Sequence, residues 1–404
     1  MTESARSLSP GSPARQASLR AHNLGVLLAA VVDSTTPPSR ADLAQLTGLT
    51  RATVSALTDR LLAAGLVTVL PTVRAVSAGR PAAPLVPAAG TLAAVGAEID
   101  VDHLAVRVVD LTGATLGERI VPGDHRSSDP APVLAALAAL CRDVVAAAAA
   151  DLPVAGLCVA LPGLVDSGAG RLRIAPNLGW RDVDVVGALS GLLDRPGLRV
   201  VQANEATLAA QAEARALRES GVTSFFYVSG EIGIGGALVR DGRIVAGSHG
   251  WSGEIGHTLV DPAGPRCGCG ASGCLEQYAG TDALRRRAGL PIDRGVGELS
   301  ALAGRGAPGA VAALQAAGHA LGLALSTAVN LLDVDTVVLG GTFAALVDHL
   351  REPLQQQLRS RVLWDAWAPV AVRPALVTSG AALAGAALSI RSEIVRDPLA
   401  WIER

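Results

Sequence analysis

One pattern occurs twice in this chain and limits the folds that it can adopt. Residues 93–121 and 224–247 each predict a strand, a turn rich in polar residues or glycine, and a second strand. Further predicted helices and strands follow these two hairpins, at residues 131–151, 154–166, 198–217 and 316–343. Such alternation is typical of an α/β fold. We therefore expect a duplicated α/β architecture with a cleft between its two halves.

The N-terminal part has a different organisation. After a tail expected to be disordered (1–18), three helices are predicted, the second and third capped by Ser39 and Thr50 and joined by a tight turn at Gly48. Gly65 ends the third helix, and two short strands around a loop follow it. This order is typical of a winged helix-turn-helix. Its expected bounds are 19–86, and a small-residue linker over 87–92 follows.

A winged helix-turn-helix presents the start of its second helix to the major groove of DNA. The candidate DNA-binding residues there are Arg51, Thr53 and Ser55, and Arg80 in the wing is placed to reach a minor groove or phosphates. Residues 1–86 contain eight arginines and four acidic residues, although the net charge of the whole chain is −2. This local positive charge favours DNA binding. The alternative is a small helical module for protein interaction or dimerisation.

Three of the five cysteines lie close together in a glycine-rich segment. Cys267, Cys269 and Cys274 follow His257 in a loop over 257–274. Thiolates and imidazole are the ligands that Zn²⁺ prefers, and four protein ligands leave no position open for a substrate. We therefore predict a structural zinc site. The alternative is a set of three buried thiols without a metal.

The same segment resembles the ROK family, named for repressors, open reading frames and sugar kinases. The matching stretches are GEIGH (253–257), CGCGASGCLE (267–276), ALPGLVD (160–166), APNLGW (175–180), GIGGALVRDGRIVAG (233–247) and VVLGG (337–341). The resemblance implies an actin-like, hexokinase-type pair of lobes, here over 93–404 as a sugar-sensing domain. It also implies the repressor branch, because the kinases of this family usually lack the N-terminal winged helix.

The resemblance further implies a sugar pocket between the lobes. The residues of this chain that match it are Gly163, Asn177, Asn204, Glu205, Glu254, His257 and Glu276. In the kinases an Asn-Asp pair holds sugar hydroxyls and the Asp is the general base; here the pair is Asn204-Glu205. Carboxylates and amides suit a sugar because each bonds several hydroxyls. The alternative for any one of these acids is a solvated charge on a loop.

The phosphate-binding pattern of the kinases is altered in this chain. The kinases have roughly Asp-x-Gly-Gly-Thr in the first hairpin, where this chain has Glu98 followed by Asp100-Val101-Asp102. Two acids therefore replace residues that approach phosphate, and one like-charge contact near 5 Å costs about 3 kcal/mol at an effective dielectric of about 20. Ile232 also stands where the kinases place Thr. We expect no kinase activity.

The sequence thus predicts a sugar-responsive transcriptional regulator, most simply a repressor of carbohydrate genes. Its expected partners are operator DNA, a sugar effector and a second copy or three further copies of the chain, as a homodimer or homotetramer. The sequence contains no signal-peptide pattern and no apolar run of membrane-spanning length, so we expect a cytoplasmic protein without a membrane partner. Two alternatives stay open: an active ATP-dependent sugar kinase fused to a DNA-binding domain, and a regulator that a protein partner inactivates.

Overall fold

The computed structural model describes residues 16–71, 83–292 and 294–403. Its N-terminal part comprises α1 (Gln16–Asp33), α2 (Arg40–Thr47), α3 (Arg51–Ala63), β1 (Val67–Val69) and β2 (Leu85–Pro87). Helix α1 begins at Gln16, inside the segment expected to be a tail, because no proline or glycine interrupts residues 16–18. Most of that tail lies outside the described residues.

The helix-turn-helix forms where its caps predict it. The side chain of Ser39 accepts a hydrogen bond from the Asp42 amide, and the Asp42 carboxylate accepts one from the Ser39 amide, which is a capping box. The Thr50 side chain caps α3 by accepting a hydrogen bond from the Thr53 amide, and Gly48 between the helices has a left-handed φ of 71°. The predicted caps and turn are confirmed. Strands β1 and β2 pair antiparallel, as expected for a wing; residues 72–82 between them lie outside the described residues.

The first lobe is built on a five-stranded sheet. Its elements are β3 (Ala93–Ile99), β4 (His103–Val109), β5 (Thr115–Pro122), α4 (Pro130–Ala148), β6 (Val154–Leu161), β7 (Leu164–Asp166), β8 (Arg171–Ala175), β9 (Trp180–Val183), α5 (Val185–Leu192) and β10 (Val200–Asn204). The strand order is β10-β6-β3-β4-β5, in which β3, β4 and β5 run antiparallel while β6 and β10 are parallel to β3. Strands β7, β8 and β9 form a separate small sheet.

The second lobe repeats this topology. Its elements are α6 (Glu205–Ala216), a 3-10 turn (Leu217–Ser220), β11 (Phe225–Gly230), β12 (Ile234–Arg240), β13 (Arg243–Ile244), a second 3-10 turn (Ile255–His257), α7 (Glu276–Ala279), α8 (Thr281–Ala288), α9 (Val296–Gly304), α10 (Pro308–Leu332), β14 (Thr336–Gly340), α11 (Gly341–Ala345), α12 (Val347–Arg361) and β15 (Ala371–Pro374). The strand order is β13-β12-β11-β14-β15, with the same directions as in the first lobe. The predicted duplicated α/β fold is therefore confirmed.

The chain ends on the first lobe. Helix α13 (Ala381–Arg396) packs on β3, β6, α6 and α1, and α14 (Pro398–Ile402) follows it. A single apolar cluster contains Leu24 and Leu28 of α1, Leu61 of α3 and Ile390 and Ile394 of α13. The helix-turn-helix is thus packed directly against the first lobe, with α1 in contact with α13.

Two helices of the described residues are long and apolar enough to cross a membrane, although the sequence was not expected to contain such a segment. Helices α4 and α10 are long enough, with mean hydropathies of 1.7 and 1.3. The share of each apolar window that is buried in the protein is 44% for α4 and 61% for α10. Helix α4 packs against β4 and β5, and α10 packs against α12. Because core helices of globular domains have the same properties, length and hydropathy are weak evidence for a membrane span here.

Candidate functional site

The predicted metal ligands lie together. The ligand atoms of His257, Cys267, Cys269 and Cys274 are all within 4.8 Å of one another. The Sγ atoms of Cys269 and Cys274 are 3.7 Å apart, and the Cys267 Sγ lies 3.8 Å from His257 Nδ1. A tetrahedral zinc with 2.3 Å bonds to sulfur separates two sulfurs by about 3.8 Å, and a disulfide would need about 2.05 Å. The donor set and its spacing fit a four-coordinate metal.

The backbone of this loop depends on its glycines. Gly273 has a φ of 71°, and a Cβ atom there would lie 1.7 Å from the Asp261 carbonyl oxygen. The amide of Cys267 donates to Ala271 O, which closes the turn that carries Cys269. Cys267 and Cys274 are buried, whereas Cys269 is exposed. The backbone next to Cys274 can therefore take this course only with glycine at position 273.

All seven predicted sugar-pocket residues line a single cavity of 70 Å³ between the lobes. They are Gly163, Asn177, Asn204, Glu205, Glu254, His257 and Glu276. Gly163 and Asn177 follow strands of the first lobe, while Glu254, His257 and Glu276 come from the second. The structure thus brings together residues separated by more than 100 positions in sequence.

Asn204 sets the geometry at the junction of the lobes. Its Oδ1 accepts a hydrogen bond from the Thr207 amide and so caps α6, and its Nδ2 donates to the Gly163 carbonyl oxygen over 3.0 Å. Gly163 has a φ of 87°, and a Cβ atom there would lie 2.1 Å from Ile174 O. Glu205 follows as the first residue of α6. The amide therefore positions both the glycine loop and the carboxyl group.

Two of the predicted metal ligands, His257 and Cys269, form part of the cavity wall, and the His257 ring connects the two sites. Its Nδ1 faces Cys267, and its Nε2 lies 4.0 Å from Glu254 Oε2. The Cys267 thiol also lies 3.9 Å from Glu276 Oε1. Burial raises the pKa of the Glu254 carboxyl above its usual range. Two of the predicted sugar-binding carboxylates are thus held beside predicted metal ligands.

A second cavity of 320 Å³ adjoins the first at Glu205. Its acidic lining residues are Glu98, Asp100, Asp102, Glu205 and Glu231, together with His103. The substituted acids on the first hairpin were predicted from the sequence, whereas Glu231 on the second hairpin was not. The sequence contained the information needed to predict it, because Glu231 directly precedes Ile232, the residue that stands where the kinases place Thr.

The acids of this cavity perturb one another. Burial, followed by the charge of Asp100, raises the pKa of Glu205 well above its usual range. Glu231 is accessible to solvent within the cleft, yet desolvation by the surrounding walls raises its pKa to about 8. His103 has a pKa of about 10, chiefly because its Nδ1 lies 2.6 Å from Asp102 Oδ1 and secondly because of Glu98. At neutral pH the cavity thus holds one imidazolium among several acids.

The predicted DNA-binding residues differ in whether their side chains are free to contact DNA. Arg51 is exposed at the start of α3, the end of the helix that was predicted to face DNA. The Thr53 hydroxyl lies 2.9 Å from that of Thr50, and the Ser55 hydroxyl accepts a hydrogen bond of 2.7 Å from Arg40. Both hydroxyls are thus engaged within the domain. Arg80 lies outside the described residues.

Comparisons with known proteins agree with this architecture. The chain is 27% identical to the xylose repressor of Bacillus subtilis over 332 residues, which cover 81% of this chain and 84% of the repressor. It is 33% identical to the kanosamine kinase of Amycolatopsis mediterranei over 265 residues, covering 65% of this chain and 84% of the kinase. A solved ROK family transcriptional regulator, described as a homologue of the E. coli MLC protein, superposes with a TM-score of 0.80 at 27% identity and covers 96% of this chain and 100% of its own.

The family model of the ROK proteins matches residues 94–393, which contain both lobes and all of the predicted metal and sugar-pocket residues. The chain is a member of the ROK family.

Proposed function

We propose that this protein is a sugar-responsive DNA-binding transcriptional regulator, acting as a repressor of genes for carbohydrate uptake or metabolism. The observation that carries the proposal is the packing of a winged helix-turn-helix directly on a lobe whose cleft collects all seven predicted sugar-binding residues. The xylose repressor of Bacillus subtilis matches this chain over most of its length, and the match to the solved ROK transcriptional regulator covers 96% of it, the helix-turn-helix included. The protein would act in the cytoplasm.

The DNA-binding surface would be the N-terminal end of α3. Arg51 is exposed there, and Arg40 on α2 is anchored beside it by Ser55 and by a 2.6 Å ion pair with Asp59. A winged helix-turn-helix of this kind binds a two-fold symmetric operator as a dimer. The protein would therefore act as a homodimer, or as a homotetramer made of two such dimers.

The metal would be a structural zinc held by His257, Cys267, Cys269 and Cys274. A bound zinc would fix the loop and contribute folding free energy, with no role in a reaction. Within the chain itself, His257 orients the wall that carries Glu254, so the metal loop would hold a sugar-binding carboxylate in place. Orientation of a metal-bound histidine by its second ring nitrogen is a general feature of such sites.

Sugar binding would be coupled to the separation of the lobes. The cavity of 70 Å³ is smaller than the clefts of about 300–1,000 Å³ that usually hold small molecules. We expect sugar binding to change the distance between the lobes at Asn204 and Gly163. Because α6 begins at Asn204 and packs on α13, and α13 packs on α1, this movement would reach the helix-turn-helix.

The acidic cavity that adjoins the proposed sugar cavity is poorly suited to the chemistry of an ATP-dependent kinase. A general base must be ionised near the working pH, whereas the pKa of Glu205 is raised well above its usual range by burial and by Asp100. The carboxylates around His103 would also repel the phosphates of ATP. We therefore propose that the protein is not a sugar kinase. The second candidate, an active kinase fused to a DNA-binding domain, is favoured by the 33% identity to the kanosamine kinase.

A ligand screen tests the proposal. The zinc-loaded protein is heated with hexoses, pentoses, amino sugars and ATP in separate samples, and its operator is selected from random DNA. We expect a saturable rise of the melting temperature with one sugar, no rise with ATP, and release of the selected DNA by that sugar. ADP release in a coupled assay with the same sugar would establish the kinase instead. Absence of a response to every sugar, with capture of a protein that releases the DNA, would replace the sugar effector by a protein.

A further inference from the structure

A third cavity, with a volume of 730 Å³, lies between α1 and the back of the two lobes. Its walls come from one face of α1, from α6 and the turn after it, from the β12–β13 turn and from α13. It shares no lining residue with the two cavities in the cleft. It therefore lies where the DNA-binding part meets the rest of the protein, and it is separate from the proposed sugar site.

The cavity is strongly cationic. Its charged lining residues are Arg215, Arg218, Arg243, Arg391, Arg396 and a single carboxylate, Asp33. Asp33 pairs with both Arg215 and Arg218, over 3.3 and 2.6 Å. In the described part of the chain no carboxylate lies within 4.0 Å of Arg243, Arg391 or Arg396. The positive charge of the walls is thus largely uncompensated by the protein.

Arg391 is the most unusual of these arginines because only 2% of it is exposed. Its Nε donates to Leu111 O over 2.6 Å and its Nη2 to Thr112 O over 3.5 Å. These carbonyls fix the orientation of the guanidinium but carry no charge. Burial, and next the charge of Arg215, lowers the pKa of Arg391 to about 10. The carboxylates of Asp33 and Asp110 act favourably on the Arg391 charge, but neither lies within 4.0 Å of it, so a bound anion would further relieve the cost of burying this charge.

We propose that this cavity binds the phosphate monoester of a small metabolite as a second ligand, distinct from the sugar. Planar guanidinium groups bind phosphate oxygens in bidentate fashion, and several of them around one site favour a dianion over a single carboxylate. The volume is within the usual range for small-molecule sites, so it admits an organic group as well as the phosphate. Val26, Ile244 and Val395 supply apolar surface for that group. The ligand would tie α1 to α6 and α13.

Calorimetric titration of the full-length protein tests this site. The probes are glucose 6-phosphate, inorganic phosphate and, as the uncharged match, glucose. We expect saturable binding of glucose 6-phosphate, competition by inorganic phosphate, and no competition by glucose. The double variant Arg243→Gln/Arg396→Gln alters two exposed side chains and should weaken phosphate binding at least about tenfold. The control Arg359→Gln changes an exposed arginine of α12 and should leave it unchanged.

Two further variants distinguish phosphate binding in this cavity from binding of the ester in the sugar cavity. Arg391→Lys keeps the positive charge and loses the planar fork, and it should also weaken binding of the ester. Glu254→Gln alters the sugar cavity at a loop that does not line the arginine-lined cavity, and it should leave binding of the ester intact even if every sugar response is lost. Failure of both phosphate probes to bind, or loss of ester binding in Glu254→Gln, would overturn the proposal. So would a loss of operator affinity in the double variant with unchanged phosphate binding, because the arginines would then serve the DNA backbone.

Discussion

The imidazole of His257 lies between the cysteine cluster and the cleft, and its Nε2 is 4.0 Å from the carboxylate Oε2 of Glu254. The other ring nitrogen is 3.8 Å from the Cys267 sulfur. One side chain thus belongs both to the predicted metal-binding loop (257–274), or metal loop, and to the proposed sugar cavity. Any change that releases the loop should therefore also displace Glu254.

The substitution Cys269→Ser tests this coupling. We expect loss of bound zinc, a lower melting temperature and loss of the sugar response together, because three remaining ligands hold the metal and the loop much more weakly. Zinc content by mass spectrometry and the sugar-induced thermal shift give the two readouts. Ser272→Ala, at an exposed position of the same loop, should change neither. A zinc-free protein with a normal sugar response would show that the loop and the cavity are independent.

The substitution Asn204→Ala should affect both stability and ligand binding. Loss of the α6 cap should reduce the free energy of unfolding by about 1 kcal/mol. Gly163 O loses its donor as well, so the glycine loop should shift and sugar binding should disappear. Asp129→Ala removes the cap of α4 instead, and it should cost similar stability in urea unfolding while sugar binding is retained. Normal sugar binding by Asn204→Ala would remove this residue from the site.

His103 gives the protein a pH-dependent contribution to stability. Its pKa of about 10 in the folded protein is above the usual value of 6.5, so the protonated form is favoured by folding. This stabilisation is complete below pH 6.5, falls as the pH rises, and is lost above pH 10. The groups that act on His103 or respond to it are Glu98, Asp100, Asp102, Glu205, Glu231 and His125. Urea unfolding of the wild type and of His103→Gln should differ most at pH 6 and converge near pH 10; a constant difference would contradict this.

Shortening Glu205 should not create a kinase. In Glu205→Asp the carboxylate of the Asn-Asp pair is restored, but Asp100, Asp102 and Glu231 still occupy the adjoining cavity. We expect no sugar-dependent ADP release above that of a sample without sugar. A ROK glucokinase assayed in parallel serves as the positive control. Turnover by the variant would show that the acids of the first hairpin do not prevent ATP binding.

Arg51 should contribute to DNA affinity. It is exposed at the start of α3, and loss of one base or phosphate contact costs about 1–3 kcal/mol, so Arg51→Ala should weaken operator binding by about tenfold to a hundredfold. Fluorescence anisotropy at fixed salt measures the effect. The distant Arg359→Ala should bind DNA normally. Equal affinity of wild type and Arg51→Ala would place the DNA-binding surface elsewhere, with Arg40 as the next residue to test.

Much of the local structure could be predicted because its causes are local. Ser39 and Thr50 cap their helices through bonds to residues three positions away, and Gly48 supplies the left-handed turn between them. The metal loop was predictable for the same reason, since His257 and Cys274 are separated by 17 positions. The strand patterns of the two halves likewise repeat along the chain, so the duplicated fold was visible before any contact between the halves was known.

Only the tertiary structure decided how distant residues meet. It placed Glu231 of one hairpin in the same cavity as Glu98 and Asp100 of the other, and the pKa shifts of these acids follow from that proximity. It placed the Ser55 hydroxyl in a hydrogen bond with Arg40, 15 residues earlier in the chain. A hydroxyl that the sequence predicted to contact DNA is therefore occupied within the domain. It also buried Arg391 beside α1 without an ionic partner. Sequence spacing determines the caps, turns and chelating loop, whereas desolvation and charge proximity depend on which surfaces the lobes and the helix-turn-helix bury against each other.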